Sequence, residues 1–167
     1  MNKTHDERSK VYDILKGFST AMFVTLGVGG RPGARPMHLA GVEEDVGEIW
    51  FLTGRGGSFV DELKKEPEVL LTFQNDNSAY LSVRGRARVE PDRARVKALW
   101  KEQYKVWFPR GPEDPDIALV GVGLMDAEYW DNRGMNKLEY LFEAARAYVK
   151  GEKPHVAEVD QHAKAIL

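Results

Sequence analysis

The chain contains no cysteine, which removes disulfide staples, thiolate metal sites and cysteine nucleophiles and suits a reducing compartment. Nor does charge of either sign prevail. Against 24 basic residues stand 26 acidic ones, a net charge of −2, so no global field marks a nucleic-acid or anionic-membrane binder and any basic function must be local. No apolar run approaches the roughly 20 residues that span a bilayer. The segment Met1 to Lys10 lacks the apolar core of a signal peptide, and the chain reads as cytoplasmic. Histidine is scarce: His5, His38, His155 and His162 are scattered, three of them in terminal segments. With no G-x-S-x-G elbow and no H-E-x-x-H, the usual hydrolytic constellations fail and no metal site is expected.

What remains is an ordinary soluble composition, 43% hydrophobic and 30% charged over 167 residues. That length suits one domain with one core, in which roughly 70% of the unfolded surface is buried. Residues 1–150 read as that domain and 151–167 as a weakly patterned tail that packs on the body or on a second subunit.

Val11, Ile14, Leu15 and Phe18 fall at i, i+3, i+4 and i+7, predicting an amphipathic helix over about residues 5 to 16. Ala21 to Leu26 and Ala34 to Val42 are apolar, extended runs joined by Gly27-Val28-Gly29-Gly30-Arg31-Pro32-Gly33. That glycine cluster is a hairpin turn rather than a dinucleotide fingerprint, because Pro32 stands at the last glycine position and the next segment is extended. Further strands are predicted at Glu48 to Thr53, Val69 to Phe73 and Tyr80 to Val89, with a longer one at Ile117 to Trp130. Between them a helix runs from Ser58, read as its N-cap, to Lys65. A second starts at Pro91 and carries Val96, Leu99, Trp100 and Gln103, and a last lies near 135 to 149 with Leu138, Leu141, Phe142 and Ala145 on one side. Strands joined by turns or by single unequal helices oppose a regular βαβ repeat and favour an antiparallel barrel with appended helices.

In the strand from Tyr80, Arg84, Arg86 and Arg88 share one face. They form a phosphate stripe or, more simply, the solvated outer face of a sheet. His38, beside Met37, suits the lining of a pocket better than catalysis. Trp107-Phe108-Pro109 through Glu128-Tyr129-Trp130-Asp131 places two tryptophans on either side of a Pro/Gly-rich loop and a strand, a setting that favours a flat ligand. Core or interface packing of Trp107 and Trp130 is the alternative. With no self-sufficient acid, base or nucleophile in view, difficult chemistry would have to come from a bound cofactor.

Arg35-Pro36-Met37, Trp50-Phe51-Leu52-Thr53, Val69-Leu70-Leu71-Thr72-Phe73, Tyr80-Leu81-Ser82-Val83-Arg84-Gly85 and the segment from Trp107 to Asp131 occur in an order and spacing that resembles the general stress protein 26-like branch of the pyridoxamine 5′-phosphate oxidase-like flavoproteins. The resemblance runs over about residues 10 to 148. It implies a mainly β fold, a six-stranded antiparallel Greek-key split β-barrel with flanking helices. It also implies a homodimer with FMN at the subunit interface, and flavin-dependent oxidoreductase chemistry on an unidentified small molecule.

Carried over residue by residue, the resemblance gives Arg35 and Thr53 as phosphate ligands and Met37, His38 and Leu52 as neighbours of the flavin ring. Gln74, and Trp107 from the other subunit, complete the ring contacts. One departure stands out. Where the family has a Ser-x-Lys loop on the phosphate, this chain has Gly57 and Phe59 with Ser58 between them. A lost charge-assisted contact costs roughly 1.5–3 kcal/mol, or about one to two decades of affinity, unless Ser58, Arg55 or the amides of Gly56 and Gly57 compensate. A non-catalytic flavin-binding or stress-protective protein with a weakened phosphate site is therefore the alternative to an oxidoreductase, and a scaffold that only dimerises is a third reading. Vitamin B6 oxidation itself has no visible substrate cluster beyond the arginine stripe.

Overall fold

The computed structural model describes residues 3–75, 79–131 and 162–167. Helix α1 (Lys3–Leu15) is followed by strands β1 (Thr20–Leu26), β2 (Pro32–Glu43) and β3 (Glu48–Gly54), helix α2 (Ser58–Lys65) and strands β4 (Glu68–Gln74) and β5 (Ala79–Glu90). Helix α3 (Arg93–Leu99), short 3-10 turns at Glu102–Val106 and Gly111–Glu113, and strands β6 (Ile117–Asp131) and β7 (His162–Ile166) complete the order. The helix expected near 135 to 149 lies outside the described residues.

The strands run in the order β3-β2-β1-β4-β5-β6-β7, every adjacent pair antiparallel. Pairing of β3 with β6, from Glu48↔Gly123 to Gly54↔Ile117, closes six of them into a barrel. Closure removes the exposed edges that an open sheet of this size would leave. The long strand β6 has β5 along one side and divides the other between two partners: β3 takes Ile117 to Gly123, and β7 takes Asp126 to Trp130. The β5–β6 ladder shifts register between Arg84 and Gly85, where the partner changes. Of the tail, the described residues 162–167 pair with β6 as a seventh strand with Ala165 buried.

Alternation along the strands produces the core. Phe23 of β1 meets Phe51 of β3 and Phe59 of α2 edge-on, with ring centroids 5.2 and 5.0 Å apart. Leu71, Leu81, Val83, Val120 and Val122 fill the remaining interior, and Val11, Ile14 and Leu15 of α1 join the same cluster. A second cluster sits outside the barrel wall: Trp50, Ala40, Ile117 and Leu119 pack under Val96, Tyr104 and Phe108. The glycine cluster is a hairpin, as expected, with Gly29 and Gly30 at φ 75 and 71 and the Gly27 amide donating to the Arg31 carbonyl at 2.8 Å. Two helix details differ from the sequence reading. Gly57, not Ser58, is the N-cap of α2, and α3 stops at Leu99, leaving Gln103 in the following 3-10 turn.

Candidate functional site

The β2–β3 ladder ends at the pair Leu39↔Phe51. Beyond it β2 is paired only with β1, through Ala21↔Met37 and Thr20↔His38, while Leu52 and Thr53 of β3 are paired only with β6. Among the described residues, the facing edges of the two strands thus carry backbone groups outside any ladder, and such groups are obligatory hydrogen-bonding partners for whatever sits beside them. Arg35, Met37 and His38 lie along one edge of this seam, Leu52 and Thr53 along the other. Strand alternation sends their side chains two ways. Met37 is buried inside the barrel, whereas Leu52 packs against the outer cluster and His38 contacts the outer residues Gln103 and Tyr104.

Past Thr53 the chain turns through Gly54 to Gly57 into α2. A Cβ on Gly54 or Gly56 would meet nothing within 4 Å, so the space over this turn is open. The leading amides of α2 receive no side-chain cap and remain available to an anion. Arg55 fixes the turn to β6, its amide donating to the Asp116 carbonyl at 2.8 Å and its Nε to the Ile117 carbonyl at 3.1 Å.

Beside this turn, three donors converge on one carboxylate. Glu62 accepts from the Thr25 hydroxyl at 2.7 Å, from the Ser58 hydroxyl at 2.9 Å and from Arg35 at 2.9 Å. The Thr25 bond, then those from Ser58 and Arg35, hold the Glu62 carboxyl below its ordinary range against the opposing effect of burial. The Arg35 guanidinium lies over the Phe59 ring, 4.4 Å from its centroid. Arg35, expected as a phosphate ligand, is thus already ion-paired through one terminal nitrogen, while its Nε and other terminal nitrogen have no hydrogen bond to the described residues. Phe59, where a lysine was the family expectation, is buried in the core.

On the outer side of the seam, the Gln103 side-chain amide donates to His38 Nε2 at 2.8 Å. Tyr104 packs edge-on against the imidazole at 5.8 Å. Burial, and secondarily the Lys101 ammonium, push the His38 pKa below its ordinary value, so the ring is neutral at pH 7.

The remaining expected residues lie elsewhere on the chain. Gln74 lines a groove of about 250 Å³ with Met22, Thr72, Tyr80, Ser82 and Trp130. Trp107 projects from the end of the Glu102–Val106 turn, 63% exposed. Two of the three stripe arginines are ion-paired on the sheet surface: Arg84 grips Asp126 through two bonds of 2.9 and 2.7 Å, and Arg88 holds Glu48 and Glu90. Sequence reasoning missed Thr25, Gln103 and Glu62. Nothing local in the sequence pairs Glu62 with Arg35, 27 residues away. Among the described residues no group of three or more His, Asp or Glu forms a metal cage.

The profile of the family described as pyridoxamine 5′-phosphate oxidase like matches residues 6–155. No curated protein matches. Among solved structures, the general stress protein 26 candidate from Jannaschia sp. CCS1 superposes with a TM-score of 0.75 at 22% identity, covering 98% of this chain and 99% of that one. The general stress FMN/FAD binding protein from Xanthomonas citri gives 0.68 at 29% identity over 80% and 94%. A pyridoxamine 5′-phosphate oxidase-related, FMN binding protein from Nostoc punctiforme PCC 73102 gives 0.57 at 12% identity over 100% and 98%.

Proposed function

This chain belongs to the pyridoxamine 5′-phosphate oxidase-like family, and from that premise we propose that it is an FMN-binding protein of the general stress type, acting as a homodimeric oxidoreductase on a small molecule. The observation that carries the proposal is the open β2–β3 seam leading into the uncapped start of α2. Its two edges offer backbone donors and acceptors to the polar rim of a flat heterocycle. The turn after Thr53 offers the Thr53 and Ser58 hydroxyls, the leading amides of α2 and the free edge of Arg35 to a phosphate. These groups fit FMN without any further cation. His38 and Leu52 lie on the outer side for the ring. Bound FMN supplies an electron-accepting ring that no side chain replaces.

The dimer is supported by a sheet face that, among the described residues, carries exposed apolar side chains. Pro36, Met22, Thr72 and Ser82 stand side by side across β2, β1, β4 and β5, and the next row begins Ala34, Val24, Leu70. Met22, Tyr80 and Trp130 on this side are 41%, 40% and 38% exposed. Exposed apolar side chains grouped on one sheet face suit an interaction surface, and a second copy would bring Gln74 or Trp107 to its neighbour's flavin.

Phe59 and the Glu62 carboxylate favour a second reading, a flavin-binding protein without turnover. The two separate in one experiment: protein reconstituted with FMN and mixed anaerobically with NADH or NADPH bleaches near 450 nm if it is an oxidoreductase using a nicotinamide donor. Flavin that stays oxidised with both donors supports the second reading.

A further inference from the structure

The feature that the flavin reading leaves unused is the carboxylate at its phosphate end. Thr25, Ser58 and Arg35 come from three elements and all donate to Glu62. Convergence of two hydroxyls and a guanidinium on one oxyanion is what a phosphate requires. The donors are also preformed. Thr25 is only 1% exposed, so packing fixes its hydroxyl, and the Phe59 ring fixes the Arg35 guanidinium from below.

We propose that Glu62 is the resident anion of this three-donor cradle, and that a phosphomonoester binds by displacing its carboxylate from Thr25, Ser58 and Arg35. The proposal rests on the flavin reading for the identity of the ligand but not for the existence of the cradle. Displacement follows from charge: a phosphate dianion and a carboxylate sharing one guanidinium repel at close range in a partly buried setting. The groups facing Glu62 from the cleft do not offset that repulsion, since among the described residues lining it Asp61 and Glu66 accompany Lys65. The displaced side chain has somewhere to go. A cleft of about 550 Å³ opens between α2 and the β1–β2 turn at Leu26, Gly27, Gly29 and Gly30, and Glu62 already lines it. In this way the chain sets its own threshold for phosphate-bearing ligands, a role distinct from holding Arg35 in position.

Titration of FMN and of riboflavin, which lacks the phosphate, against wild type, Glu62→Gln and Glu62→Ala tests this, with flavin fluorescence as the readout and a melting curve as the folding control. Both variants should bind FMN about tenfold or more tightly than wild type, with riboflavin unchanged. FMN binding that is equal or weaker in both folded variants overturns the proposal and makes Glu62 a positioning residue for Arg35. If no variant binds FMN, the flavin reading fails, and inorganic phosphate followed by calorimetry decides the cradle alone. Phosphate bound by Glu62→Gln but not by wild type sustains it, and phosphate bound by neither overturns it.

Discussion

At the scale of single residues, Gly121 shows how closely the outer cluster is fitted. A Cβ there would lie 2.6 Å from the Trp50 ring, and the Arg88 and Arg95 guanidinium groups lie 5.1 and 4.4 Å from the centroid of that ring. Gly121→Ala should cost about 1–3 kcal/mol in urea unfolding, the usual range for overpacking. His38 gives a prediction in pH. Its folded-state pKa lies below the ordinary 6.5, so the unfolded chain takes up the proton first as pH falls. The stability from the neutral ring is whole above about pH 6.5 and is lost as pH falls through the window between that value and the folded-state pKa. Urea midpoints measured from pH 8 to 5 should therefore fall more steeply for wild type than for His38→Gln; equal slopes would show that the ring is not held neutral.

At the scale of elements, β7 covers the part of β6 that β3 does not reach. Removal of residues 162–167 should expose that edge, lower the melting temperature and speed amide exchange in β6 between Asp126 and Trp130, with a tendency to aggregate. Unchanged exchange there would mean that β7 contributes no pairing in solution. This strand was not legible in the sequence: His162 to Ile166 is short and polar in alternation, and only the edge offered by β6 makes it extended. The strands that form the barrel were legible, because Phe23, Leu71, Leu81 and Val83 alternate with polar or exposed neighbours at the period of a strand. Helix α3 was read too long, since Trp100 and Gln103 sit at helical spacing from Val96, yet the chain leaves α3 at Trp100, φ −64 and ψ 136, and continues into a 3-10 turn. In the candidate site, Arg35, His38, Leu52 and Thr53 were named from the resemblance, which also supplied the ligands expected for them, and the structure sets them along the two edges of the seam. The Glu62 carboxylate on Arg35 was not, because side chains from β1, β2 and α2 meet only once the barrel has closed.

At the scale of the whole molecule, the described residues cover one wall of the barrel with α3 and the turns that follow it, and place no helix over the wall across β2, β1, β4 and β5. Light scattering at low micromolar concentration should return twice the 18.9 kDa chain mass, and Met22→Glu, set in the middle of that second wall, should shift the protein toward monomer. A wild type that runs as a monomer removes the shared site and with it the assignments of Gln74 and Trp107 to a neighbour's flavin. The seam itself is tested most directly by the visible absorption spectrum after incubation with FMN and gel filtration. Flavin retained near one per chain, and lost in the double variant Arg35→Ala with Thr53→Val, is the result expected of a phosphate held at the end of the β2–β3 seam. A colourless wild-type protein after the same treatment, or a double variant that keeps its full complement of flavin, would contradict it.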